Sequence, residues 1–140
     1  MLKKIDHIGI VVNDLNERMK MFTSLLGLAV KEIEEVNVEN VINKVAFLPI
    51  GETNIELIET TAKSGLAADY LKERGEGVHH IAFEVEDLHK TFEDLRSKGV
   101  DFIWNKIIEG SRNSIIALIK PKELGGIYIE FVQRCKKDCF

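Results

Sequence analysis

A chain of 140 residues, 45% hydrophobic and 30% charged, has the size and balance of one compact domain and excludes a large multidomain assembly. Folding at this length buries roughly 68% of the unfolded surface, so the core needs no disulfide or structural metal, and a metal site here would serve function. The net charge of −4 is carried with Lys and Arg scattered along the chain, which excludes the basic stripe of a nucleic-acid binder. No stretch approaches the ~20 apolar residues that cross a bilayer, and the N-terminus has no signal-peptide apolar region. The expectation is a cytoplasmic protein with neither nucleic-acid nor membrane partners.

The first predicted strand, Asp6-His7-Ile8-Gly9-Ile10-Val11-Val12, leads through Asp14-Leu15 into an amphipathic helix carrying Leu15, Met19, Phe22 and Leu26. Asp14 is the expected N-cap, with Glu17 at capping-box spacing, and Gly27 the expected stop. Three β-rich stretches follow, at about Leu28 to Val36, Asn43 to Ile50 and Thr53 to Glu59, the last two joined by the short turn Gly51-Glu52. Ser64 to Gly75 reads as a helix with Ser64 as N-cap.

The pattern then repeats. His79-His80-Ile81-Ala82-Phe83-Glu84-Val85 echoes the first strand at an offset of 73 (80 − 7), Asp87-Leu88 opens a second helix carrying Leu88, Phe92 and Leu95, and Gly99 ends it. Three further strands are expected at about Asp101 to Glu109, Asn113 to Lys120 and Gly126 to Gln133, the last two joined by the longer loop Pro121 to Gly126. The fold class is therefore α+β. It is a single domain over 1–140, built of two tandem βαβββ modules, at about 3–60 and 77–133, with a linker helix at about 64–75. Cys135 and Cys139 fall in a charged tail, where a disulfide has no framework to hold and two sulfurs make a poor zinc site, so the tail is expected to have no role.

Strand alternation assigns faces. Ile8, Ile10 and Val12, and likewise Ile81, Phe83 and Val85, form rows toward the helices, which sends His7 and His80 to the other face, followed there by the small Gly9 and Ala82. In the last strand of each module Ile55 and Leu57, and Ile127, Ile129 and Phe131, face the helices and leave Glu56 and Glu130 on the same face as the histidines. The His-to-Glu spacing is 49 residues in the first copy (56 − 7) and 50 in the second (130 − 80). Each residue alone fits a solvated or hydrogen-bonded strand position. Two His and two Glu matched across a repeat fit a divalent metal site, because imidazole and carboxylate suit nickel, cobalt, zinc or iron and leave positions for substrate oxygens.

These residues carry a resemblance. The doubled module, with Asp6-His7-Ile8-Gly9 and His79-His80-Ile81-Ala82 opening its copies, resembles the vicinal oxygen chelate (glyoxalase/bleomycin resistance/dioxygenase) superfamily. The stretches Val45 to Glu59 and Arg74 to Val85 resemble its methylmalonyl-CoA epimerase branch, and the likeness runs from about Ile5 to Val132. The resemblance implies a cup-shaped mixed sheet, a homodimer, and a divalent metal (cobalt, nickel, zinc or manganese) held by His7, Glu56, His80 and Glu130.

It further implies epimerisation of methylmalonyl-CoA, or a similar 2-substituted malonyl-type acyl-CoA, with proton removal and return at C2 through a metal-stabilised enolate. Glu130 is the expected base. Some epimerases carry a second acid/base glutamate on the strand before that of Glu56. Here Asn43-Lys44-Val45 offers no carboxylate, so Glu56 is the remaining candidate. The segments Glu109 to Ser114 and Lys120-Pro121-Lys122 also depart from the epimerase pattern, which leaves the acyl group open. Lys44, Arg112 and Lys120 are the candidates to meet CoA phosphates. Two alternatives stand beside this reading: glyoxalase I, the lactoylglutathione lyase, acting on a glutathione adduct, and a non-enzymatic small-molecule-binding member of the superfamily. His79 is expected to pack on the far face of its strand, and His89 to be solvated.

Overall fold

The computed structural model describes residues 2–137 and 139. The fold is α+β, with eight strands and three α-helices among the described residues: β1 (Leu2–Val11), α1 (Leu15–Leu26), β2 (Glu32–Val38), β3 (Val41–Ile50), β4 (Thr53–Thr60), α2 (Leu66–Arg74), β5 (Gly77–Val85), α3 (Leu88–Ser97), β6 (Ile108–Gly110), β7 (Ser114–Ile119) and β8 (Tyr128–Arg134). None of the described helices is long and apolar enough to cross a membrane. By contacts the chain divides into two compact units. The first is residues 7–79, and the second joins the described residues before 7 to those after 79.

In the first unit the strand order is β2-β3-β4-β1, antiparallel except for the parallel β4–β1 pair. Helix α1 starts where expected. The Asp14 carboxylate accepts from the Glu17 N–H at 3.0 Å, and Gly27 (φ 70°) ends the helix by donating its N–H to the Thr23 carbonyl. Its apolar side packs Leu15, Met19 and Phe22 on Ala46, Leu48 and Leu57, whereas Leu26, the last residue of the helix, is 63% exposed and does not join that cluster. Leu28 and Val30 join this cluster rather than a ladder, so β2 begins at Glu32 and not at Leu28. Ser64 does not cap α2. Gly65 (φ 111°) occupies the N-cap position without a side-chain bond, and the Asp69 N–H reaches its carbonyl.

The second unit has the order β5-β8-β7-β6, again antiparallel except for its one parallel pair, β5–β8. Asp87 caps α3 by accepting from the Lys90 N–H at 3.0 Å, and Leu88 and Phe92 bury against Phe102, Ile115, Ala117, Ile119, Ile129 and Phe131. The strand expected at Asp101 to Glu109 is only Ile108–Gly110. Phe102 makes an isolated bridge to Ile119 and drops its ring to 4.5 Å from that of Phe92, which takes the intervening residues off the ladder. The loop after β7 contains a 3₁₀ turn at Pro121–Leu124. The expectation of an unengaged tail is corrected. Cys135 and Cys139 are paired as a disulfide with Cα atoms 5.6 Å apart. A turn more than twenty positions earlier holds the tail: the Asn113 side-chain amide donates to the Cys135 and Lys137 carbonyls at 3.1 Å, and Cys139 packs against the apolar cluster.

Candidate metal centre

Parallel pairing of β1 with β4 sets His7 opposite Asn54 and Gly9 opposite Glu56. His7, Gly9 and Glu56 therefore share one face, and with no side chain at Gly9 the carboxylate leans along the strand toward the imidazole. Glu56 Oε2 lies 3.1 Å from His7 Nδ1, with both side chains about 95% buried. Phe47, fully buried, is the register partner of Glu56 on its other side and helps keep the pair dry.

The second unit repeats the arrangement. His80 lies opposite Tyr128 and Ala82 opposite Glu130 in the parallel β5–β8 register. Glu130 Oε2 is 3.6 Å from His80 Nε2, and both residues are buried. Each unit thus holds one imidazole and one carboxylate at equivalent positions of its parallel strand pair. Burial of a carboxylate is costly unless it is paired or coordinates a cation. The donor set of each pair, nitrogen plus carboxylate oxygen, fits a divalent transition metal.

His79 points away from this face, as alternation requires. Its ring meets Tyr70 edge-on at 5.2 Å, and burial, helped by the charge of Arg74, pushes its pKa down to about 4. It is a neutral packing residue between β5 and α2. His89 is exposed on α3. Of the three basic residues singled out for phosphate, Lys44 is exposed on β3 with Glu35 and Glu59 as register partners. Lys120 is half-buried past the end of β7. Arg112, in the β6–β7 turn, stands 3.7 Å from Asp6.

Two charged groupings escaped the sequence reading. Asp6, 4% exposed, is gripped by Arg134. The Glu76 carboxylate bonds Arg18 at 2.7 Å and the Asn13 backbone N–H at 2.8 Å, tying α1 to the start of β5. Asp6 was visible as a lone carboxylate in an apolar strand, but nothing in the order of residues points to a partner 128 positions on.

Comparison with known proteins agrees with this architecture. Human mitochondrial methylmalonyl-CoA epimerase is 27% identical over 94% of this chain and 74% of its own. The crystal structure of methylmalonyl-CoA epimerase from Mycobacterium tuberculosis superposes with a TM-score of 0.87 at 30% identity, covering 96% of this chain and 89% of that one. A variant of Streptomyces coelicolor methylmalonyl-CoA epimerase in complex with 2-nitronate-propionyl-CoA gives 0.85 at 28% identity, with all of both chains covered. Residues 6–118 match the family described as the Glyoxalase/Bleomycin resistance protein/Dioxygenase superfamily, and the chain belongs to that superfamily.

Proposed function

We propose that the protein epimerises methylmalonyl-CoA or a closely similar 2-substituted malonyl-type acyl-CoA, and that His7, Glu56, His80 and Glu130 together hold one divalent metal ion. The observation that carries this reading is the pair of buried His–Glu couples at matching registers of β1–β4 and β5–β8. The similarity to epimerases, one of them bound to an acyl-CoA analogue, supports the substrate class.

In a malonyl-type thioester the C2 hydrogen is flanked by a thioester carbonyl and a carboxylate, which acidify it. A bound metal would supply positive charge against the negative charge that develops on the substrate oxygens as that proton leaves. Glu130 acts as the base, a buried carboxylate with one oxygen 3.6 Å from His80 Nε2. Return of a proton to the opposite face falls to Glu56, since Asn43 and Lys44 bring no carboxylate to the neighbouring strand. The buried surroundings of both couples exclude water from the reacting carbon and strengthen each charge interaction. Lys44, Lys120 and Arg112 meet the CoA phosphates, and the protein works as a homodimer.

A two-substrate assay of the metal-loaded protein tests this. Turnover of (R)- or (S)-methylmalonyl-CoA is expected to exceed that of the methylglyoxal–glutathione adduct by a wide margin. The reverse ranking would make the protein a lactoylglutathione lyase.

A further inference from the structure

We infer that Asp6 and Arg134 form a positioning pair for the ligand His7, an inference that rests on the metal reading above. Asp6 immediately precedes His7 in β1, and its carboxylate sits in the interior. There it is 4% exposed and receives a two-pronged grip from Arg134: Nε donates to Oδ1 at 3.1 Å and Nη2 to Oδ2 at 2.5 Å. The remaining nitrogen, Nη1, donates to the Ser111 carbonyl at 2.8 Å and the Arg112 carbonyl at 3.4 Å. One planar guanidinium thereby joins the last residue of β8, the residue before His7, and the β6–β7 turn.

The turn is itself held in an unusual conformation. Arg112 and Asn113 both have positive φ (48° and 51°), and the Asn113 amide is committed to the Cys135 and Lys137 carbonyls. Arg112 brings a second cation to within 3.7 Å of Asp6.

A fork of this kind fixes orientation as well as distance, which a lysine or a surface ion pair does not. A buried carboxylate one residue from a ligand is costly to hold unless it is paired and hydrogen-bonded, and the fork that pairs it also fixes its place. Fixing the backbone at residue 6 fixes where the Cα–Cβ bond of His7 points. Ligand aim is a determinant of metal affinity, and loss of a supporting group around a metal site characteristically costs about 10–100-fold.

The test uses the full chain stripped of metal, with Co²⁺ as probe, followed by titration calorimetry and by its visible absorption bands, beside thermal unfolding of the metal-free protein. Asp6→Asn and Arg134→Gln each break the fork and unbalance a part-buried charge pair, and will lower apo stability. The double variant Asp6→Asn/Arg134→Gln removes both charges and is expected to regain most of that stability while still binding Co²⁺ about tenfold or more weakly, with shifted bands. Arg134→Lys, which keeps charge but loses the fork, is expected to fold and to show the same weakened affinity and altered bands. Wild-type Co²⁺ affinity and spectrum in the double and Lys variants would overturn the positioning role while leaving the metal reading intact. A wild-type protein whose Co²⁺ binding is absent, or unchanged by His7→Ala, would overturn the metal reading and this inference with it.

Discussion

Glu56 reaches His7 Nδ1 at 3.1 Å because Gly9 is its register partner across β1–β4. Glu130 reaches His80 across the equivalent gap above Ala82, at 3.6 Å. The small residue two positions after each histidine is what lets a carboxylate on the neighbouring strand lean over and meet the imidazole.

Ala82→Val probes that gap directly. Ala82 is fully buried, so two added methyl groups are expected to cost about 1–3 kcal/mol of stability by overpacking and to push the Glu130 carboxylate away from His80. Metal affinity should fall more than the stability loss alone explains. Calorimetric metal titration beside thermal unfolding reads the two effects separately, and unchanged affinity in the folded variant would argue against the gap being part of the site.

The two glutamates are expected to differ. Glu130→Gln keeps a neutral oxygen donor and the local shape but removes the proton acceptor, so metal is retained while turnover falls by about two orders of magnitude or more, and deuterium no longer washes from solvent into C2 of one epimer. Glu56→Gln also keeps an oxygen donor for the metal but removes the proton donor of the opposite face, so inversion is expected to fall while deuterium still washes into C2 of the epimer that Glu130 deprotonates. Near-normal exchange in metal-loaded Glu130→Gln would show that the base lies elsewhere.

Much of this was legible in the residue order. The repeat, both Asp N-caps and the alternation that sets one histidine and one glutamate on the same face of each module follow from the order of residues, without knowledge of long-range contacts. What was illegible was decided by tertiary packing. Leu28 and Val30 carry a strand's composition but serve the α1 cluster, and Phe102 leaves its predicted strand for Phe92. Ser64 has the chemistry of a cap but yields to Gly65, whose backbone adopts φ 111°. The Asp6–Arg134 grip and the Cys135–Cys139 pair depend on where a turn and a tail meet, which spacing does not encode.

Glu76 gives a pH-dependent prediction. The hydrogen bond from Arg18, then that from the Asn13 N–H, hold its carboxyl below the usual carboxylate range. A group with a depressed folded-state pKa contributes stability above its unfolded pKa and loses it as pH falls through the folded one. Glu76→Gln is therefore expected to cost up to about 1 kcal/mol near neutral pH, with the difference from wild type shrinking below about pH 4. Chemical denaturation of both proteins across pH 3–7 checks it, and a difference independent of pH would assign the effect to something other than the Glu76 charge.

The most direct test of the central claim is the metal content of purified protein by elemental analysis, for the wild type, His7→Ala and His80→Ala. If both His–Glu couples serve one ion, the wild type holds a single divalent ion per chain, and either substitution empties it while the domain stays folded, since the apolar clusters do not depend on the site. Full occupancy in both histidine variants, or a second ion bound independently by each couple, would contradict the account.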